Sequence, residues 1–183
     1  LHERGQTEAV IERSADALTP AEITKHWKLV EETIRKEVKS FVDLRTFEKT
    51  DKHSALNVMT SKWVLRWKFV DNVKIVKARL TVRGFQDLAA ASLDTYAGTA
   101  SRWSQRIVNS VVANHQWTIK TLDVGTAFLQ GVTFAELAEM TGEPIREVSF
   151  VPPKGSEKYF QEFDPQLNFT KHVLRMLKPV YGL

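Results

Sequence analysis

Residues 62–86 read KWVLRWKFVDNVKIVKARLTVRGFQ, and the fold turns on how this stretch alternates. Trp63, Leu65, Trp67 and Phe69 recur at every second position, with Arg66 and Lys68 between them. Asp71-Asn72 is a turn signal. Beyond it Val76, Ala78, Leu80 and Val82 alternate with Lys77, Arg79, Thr81 and Arg83. Side chains two apart on a strand share a face. The pattern predicts strands over 63–70 and 75–83, paired as a hairpin. One face is apolar; the other carries Arg66, Lys68, Lys77, Arg79 and Arg83.

Charge singles out the same element. The chain has 183 residues and a formal net charge of +4. Residues 61–83 hold seven basic side chains against one acid, Asp71, while the rest of the chain is balanced or slightly acidic. Such a local excess fits a polyanion contact or a solvated hairpin face. Arginine forks suit phosphate, and lysines supply point charges.

Outward from the hairpin, residues 1–18 are polar, lack periodicity and are expected to be poorly ordered. Thr19-Pro20-Ala21-Glu22 reads as a capping box with proline in the first turn. Ile23, Trp27, Val30, Ile34, Val38 and Phe41 then predict a helix over about 20–39 with one buried face. Residues 101–114 predict a second amphipathic helix. Residues 117–123, WTIKTLD, read as a strand, and Thr133 to Glu136 open a short helix to about Met140. A last strand is expected over 171–178. No internal repeat or low-complexity linker interrupts the chain.

Several classes drop out. A hydrophobic share of 43% and a charged share of 26% are those of an ordinary globular chain. No run of about 18 apolar residues suggests a membrane span. Cysteine is absent, which removes disulfides, thiolate metal sites and cysteine nucleophiles. There is no phosphate loop ending in Gly-Lys-Ser/Thr and no Gly-x-Ser-x-Gly elbow. The five histidines are scattered without ligand spacing. Asp123 remains, at the end of the expected strand and ahead of Gly125, Thr126 and Ala127. A carboxylate there can hold a divalent cation, or merely cap the next turn. The start at Leu1 and the end just after Tyr181-Gly182 are expected of a piece of a longer polypeptide.

Five blocks, residues 62–86, 94–102, 117–131, 150–155 and 173–183, follow one another in the order found in copia-type retrotransposon reverse transcriptases, which the chain resembles over about residues 25–183. The resemblance implies an α+β fold, the fingers and partial palm of a right-hand polymerase. Residues 19–116 would form the N-terminal helix and fingers, with the basic hairpin at 62–84. Residues 117–183 would form a partial palm. Asp123 would be the first palm aspartate and a metal ligand, with the Val124 carbonyl beside it. Two Mg²⁺ ions would be shared with carboxylates outside these residues. Lys77, Arg79, Gly125 and Phe128 would meet the incoming nucleotide, Phe128 by excluding a ribose 2′-hydroxyl. Arg66, Lys68, Arg83 and Gly182 would contact nucleic acid.

The partners so implied are an RNA template, a DNA primer and deoxynucleoside triphosphates, with no membrane. The parent would be a polyprotein that includes integrase and RNase H, in a cytoplasmic particle and the nucleus. Four departures mark this sequence, one of them a connection over residues 132–149 longer than the family's usual one. Gly125 replaces the family's usual lysine, and Gly98 a proline. No Tyr-x-Asp-Asp hairpin is present, so these residues hold one of three catalytic carboxylates and are expected to be inactive alone. Two other readings stay open: a decayed element that binds nucleic acid without catalysis, and an unrelated α+β module that binds some other polyanion.

Overall fold

In a computed structural model, which describes residues 16–92, 98–122 and 124–183, the chain is a mixed α/β structure built on one five-stranded sheet. The strands are β1 (Phe47–Asp51), β2 (Val58–Val70), β3 (Val73–Val82), β4 (Ser149–Val151) and β5 (His172–Met176), in the spatial order β1-β5-β4-β2-β3. β2 is long enough to do two jobs. Its first residues, Val58 to Thr60, run parallel to β4. From Ser61 to Val70 it pairs antiparallel with β3.

The hairpin forms as its sequence predicts. Asp71 and Asn72 both take positive φ, 49° and 62°. Two such residues in succession make the tight turn whose twist matches the flanking strands, and aspartate and asparagine tolerate that region best. The register sets Trp63 opposite Leu80 and Val64 opposite Arg79, so the two faces separate as the alternation requires. Trp63, Leu65 and Trp67 pack on the core, while Phe69 near the tip is exposed.

Two helices cover the apolar side. The Thr19 capping box is present in both directions, with the Glu22 N–H donating to Thr19 Oγ1 and Glu22 Oε2 accepting from the Thr19 N–H. The single helix expected over 20–39 is instead α1 (Pro20–Lys25) and α2 (Trp27–Asp43). His26 leaves helical geometry between them, at φ −108° and ψ 27°. Val30, Ile34, Val38 and Phe41 of α2 are buried in one cluster with Val76, Ala78, Leu80 and Val82 of β3. α2 also occupies the outer edge of β3. Glu37 accepts from the Leu80 N–H at 3.3 Å, and Thr33 Oγ1 lies 3.5 Å from the Val76 carbonyl. Contacts of this kind partly cover an edge strand that could otherwise pair with another chain.

Residues 16–18, placed by sequence in the loose terminal segment, are held against β2. The Leu18 N–H donates to the Leu65 carbonyl at 3.1 Å, and the Trp67 N–H to the Asp16 carbonyl at 2.7 Å. Leu18 is itself a core residue. After β3 the chain makes short 3-10 turns, and Asp87 ties it back. Its carboxylate accepts from Asn57 Nδ2, the Ala89 N–H and the Arg146 guanidinium.

The middle of the chain departs most from expectation. Helix α3 (Arg102–Asn114) forms where predicted, capped by Ser101, but buries none of its residues. Of the strand expected over 117–123, the described residues 117–122 have no regular structure and are exposed, Leu122 at 91%. A strand needs a partner for its backbone groups, and none of the described strands runs beside this segment. α4 (Ala127–Gln130), α5 (Phe134–Thr141, with its predicted capping box) and α6 (Glu157–Gln161) complete the fold. Among the described residues no helix is long and apolar enough to cross a membrane.

Candidate functional site

The polar face of the hairpin forms one wall of a cavity of about 550 Å³. The pleat decides which side chains reach it. Even positions of β2, namely Val64, Arg66 and Lys68, and odd positions of β3, namely Lys77, Arg79 and Thr81, line that wall, joined by Trp67 of the other parity. The opposite wall comes from distant parts of the chain: Phe128 at the start of α4, and Tyr181, Gly182 and Leu183 beyond β5. Asp16 closes one side.

Charge on this wall is arranged at a cost. Arg66 and Lys77 are directly opposite partners in the ladder. Like charges in that position destabilise a sheet, by roughly 0.2–1 kcal/mol on the scale of cross-strand pairs. Asp16 offsets part of it, at 3.5 Å from Arg66. Among the described residues no carboxylate forms an ion pair with Lys77 or Arg79, so both keep their hydrogen-bond donors for a ligand. Glu37 lies behind them on α2. Burial raises its pKa above the ordinary carboxylate value, while the Leu80 N–H and the charges of Lys77 and Arg79 pull it down in part.

The aromatic wall is organised around Tyr181. Its ring centroid lies 4.9 Å from the Arg79 guanidinium carbon and 5.5 Å from the Phe128 ring, with 65° between the two ring planes. Burial, and then the nearby Glu37 charge, raise the Tyr181 pKa, so the phenol is neutral at pH 7. Tyr181 arrives there through a close backbone crossing. The Val82 N–H donates to the Tyr181 carbonyl at 2.8 Å, and the Gly84 N–H to the Gly182 carbonyl at 2.9 Å. A Cβ on Gly84 would overlap the Gly182 carbonyl, and one on Gly182 the Val82 carbonyl.

Six residues singled out from sequence therefore meet at one cavity: Arg66, Lys68, Lys77, Arg79, Phe128 and Gly182. Three do not join it. Arg83 lines a separate cavity of about 400 Å³ with Thr60, Pro152, Pro153, Lys154 and Phe169. The period of two fails at Arg83 because β3 ends at Val82 and the chain turns into a 3-10 helix. Val124 and Gly125 are exposed and do not line the cavity; the Gly125 carbonyl accepts from Gln130 Nε2 at 2.7 Å. Asp123 lies outside the described residues.

Among the described residues, to which Asp123 does not belong, no group of three or more histidine, aspartate or glutamate side chains is placed to hold a metal ion. The arrangement can bind phosphate and stack a ring.

Tyr181, Thr81, Val64 and Asp16 were not singled out from sequence. Thr81 and Val64 follow from the period of two and the register. Tyr181 adjoins Gly182 and carried no charge signal. Asp16 gave none at all.

The chain is similar to the retrovirus-related Pol polyprotein from transposon RE2 of Arabidopsis thaliana, at 27% identity over 132 residues. That match covers 70% of this chain and 8% of the relative's length. It relates the chain to a region of a retrotransposon polyprotein. No family model matches the chain, and no solved structure does.

Proposed function

We propose that this chain is the nucleotide- and template-contacting region of an RNA-directed DNA polymerase encoded by a retrotransposon polyprotein, with a fingers-and-partial-palm arrangement. One observation carries the reading. Lys77 and Arg79, Phe128, and Gly182 were assigned from three separate blocks of sequence, and the fold brings them to one cavity. The unpaired cations suit the phosphates of a nucleoside triphosphate, and Phe128 stands on the opposite wall where a sugar can abut it. The Arg66, Lys68 and Lys77 face continues the same charge toward a polynucleotide backbone.

Equilibrium binding to deoxynucleoside triphosphate and to an RNA–DNA hybrid, at several salt concentrations, tests it. Replacing Lys77 and Arg79 together by alanine weakens triphosphate binding at least tenfold. It also lowers the salt slope for the hybrid by close to one unit per lost phosphate contact. An unchanged affinity and slope would remove the hairpin from the interface.

The second reading, a nucleic-acid-binding relic without catalysis, is favoured by the irregular course of residues 117–122 next to Asp123. Asp123→Asn in a polyprotein that carries the remaining carboxylates separates the two. Primer extension collapses with hybrid binding intact if the chain belongs to a working polymerase. Hybrid binding without extension, in the variant and its parent alike, marks the relic.

A further inference from the structure

Arg79 is exposed and long, and a side chain of that kind ordinarily samples many rotamers. Its guanidinium is instead positioned by Tyr181, at 4.9 Å from the ring centroid. The ring belongs to the same rigid unit as the arginine. Tyr181 and Gly182 are hydrogen-bonded through their carbonyls to Val82 and Gly84, at the end of the strand that carries Arg79. Val180, just before them, is buried in the core. The two glycines allow this crossing, because a side chain at either would strike the other's strand. Phe128 also packs against the Tyr181 ring, with centroids 5.5 Å apart and ring planes at 65°.

We propose that Tyr181 is a positioning residue for phosphate recognition: its ring holds the face of the Arg79 guanidinium and leaves the edge N–H donors aimed into the cavity. This rests on the nucleotide-binding reading above and extends it to a residue that need not touch the ligand. Guanidinium chemistry makes the division possible. The cation's face is attracted to the ring quadrupole, whereas its hydrogen bonds lie in its own plane. A phosphate can therefore take the donors without displacing the ring. The phenol stays neutral, so it presents no anion to compete with phosphate.

The probe is inorganic triphosphate, which has no base or sugar to stack on the ring. Tyr181→Leu weakens its binding about 3- to 30-fold, the range expected for a cation–π contact from exposed to desolvated. Tyr181→Phe keeps the ring and binds within about twofold of the wild type, since the benzene face carries the same quadrupole. In an Arg79→Ala background Tyr181→Leu causes no further loss. A second readout needs no ligand. The ring current shifts the Arg79 Hδ resonances upfield in the free wild type and in Tyr181→Phe, and the shift disappears in Tyr181→Leu. Wild-type-like binding by Tyr181→Leu overturns the inference and leaves the nucleotide site standing. So does an equal loss with and without Arg79, which means the ring acts on the fold rather than on the arginine. Failure of the wild type to bind triphosphate removes the nucleotide reading and this inference together.

Discussion

On α2, Val30, Ile34, Val38 and Phe41 are buried against β3; on α3, Trp103, Ile107, Val108 and Val111 carry the same kind of stripe and remain exposed. Both helices form, although α2 starts at His26 without a side-chain cap while α3 has one. Ser101 accepts from the Ser104 N–H at 3.1 Å, as a helix start requires. The difference lies in what the far side offers. β3 presents alternating apolar residues in register with α2, whereas none of the described strands presents a face to α3. An apolar stripe says that a face favours cover; it does not say what supplies it.

The sharpest way to break this comparison is to truncate one large side chain in each region. Phe41 is fully buried. Phe41→Ala removes its contacts and leaves a cavity, at a cost of about 3–5 kcal/mol. Trp103 is 69% exposed. Trp103→Ala, a larger truncation, costs within about 0.5 kcal/mol, as for a surface change. Urea denaturation of both variants measures the contrast. A loss of several kcal/mol at Trp103 would mean that α3 is covered in solution.

The next effect belongs to the crossing that joins the hairpin to the aromatic wall. Gly182 has φ of 92°, and a Cβ there would overlap the Val82 carbonyl. Gly182→Ala therefore meets both a disfavoured backbone and a steric conflict, costing on the order of 1–3 kcal/mol. Because the strand edge and Tyr181 are displaced together, triphosphate affinity falls with it. A melting curve and a binding isotherm on the same sample check the pairing. Unchanged stability would show that the crossing opens at no cost.

How much was legible follows from the same contrast. The hairpin could be read because three local signals agree: alternation, an Asp-Asn turn and a confined charge excess. The capping boxes at Thr19 and Thr133 could be read because each is complete within four residues. β1 and β4 could not, since Phe47–Asp51 and Ser149–Val151 are short and become strands only through distant partners, β5 and β2. The strand expected at 117–123 was a sound local pattern whose described residues, 117–122, have none of the described strands to pair with. At the site, charge and alternation revealed Lys77 and Arg79. The place of Phe128 came from resemblance alone. Tyr181 was hidden because its role depends on a backbone crossing between residues about a hundred positions apart in the sequence.

Cover also has an electrostatic side, and two carboxylates sharpen it with opposite signs. Glu37 reaches the edge of β3 from α2, and burial raises its pKa above 4.5, against the opposing pull of the Leu80 N–H, Lys77 and Arg79. For an acid with a raised folded pKa, the cost of ionisation is absent below the unfolded value and complete above the folded one. Glu37→Gln keeps an acceptor for the Leu80 N–H and removes the charge. It should be more stable than the wild type at pH 7, with the difference vanishing below 4.5. Asp87 runs the other way. Burial pushes its pKa up, but Asn57, the Ala89 N–H and Arg146 together hold it below 3.8. Its contribution is present above 3.8 and lost as pH falls through the lower, folded value. Asp87→Asn should therefore be less stable at pH 7, and the gap should close in acid. Urea midpoints for the three proteins between pH 3 and pH 7 give both curves. These effects are the smallest of the set, and their sign carries the information. If Glu37→Gln destabilised the protein at pH 7, the carboxylate would be an anchor for Lys77 and Arg79, and the edge of β3 would depend on that charge.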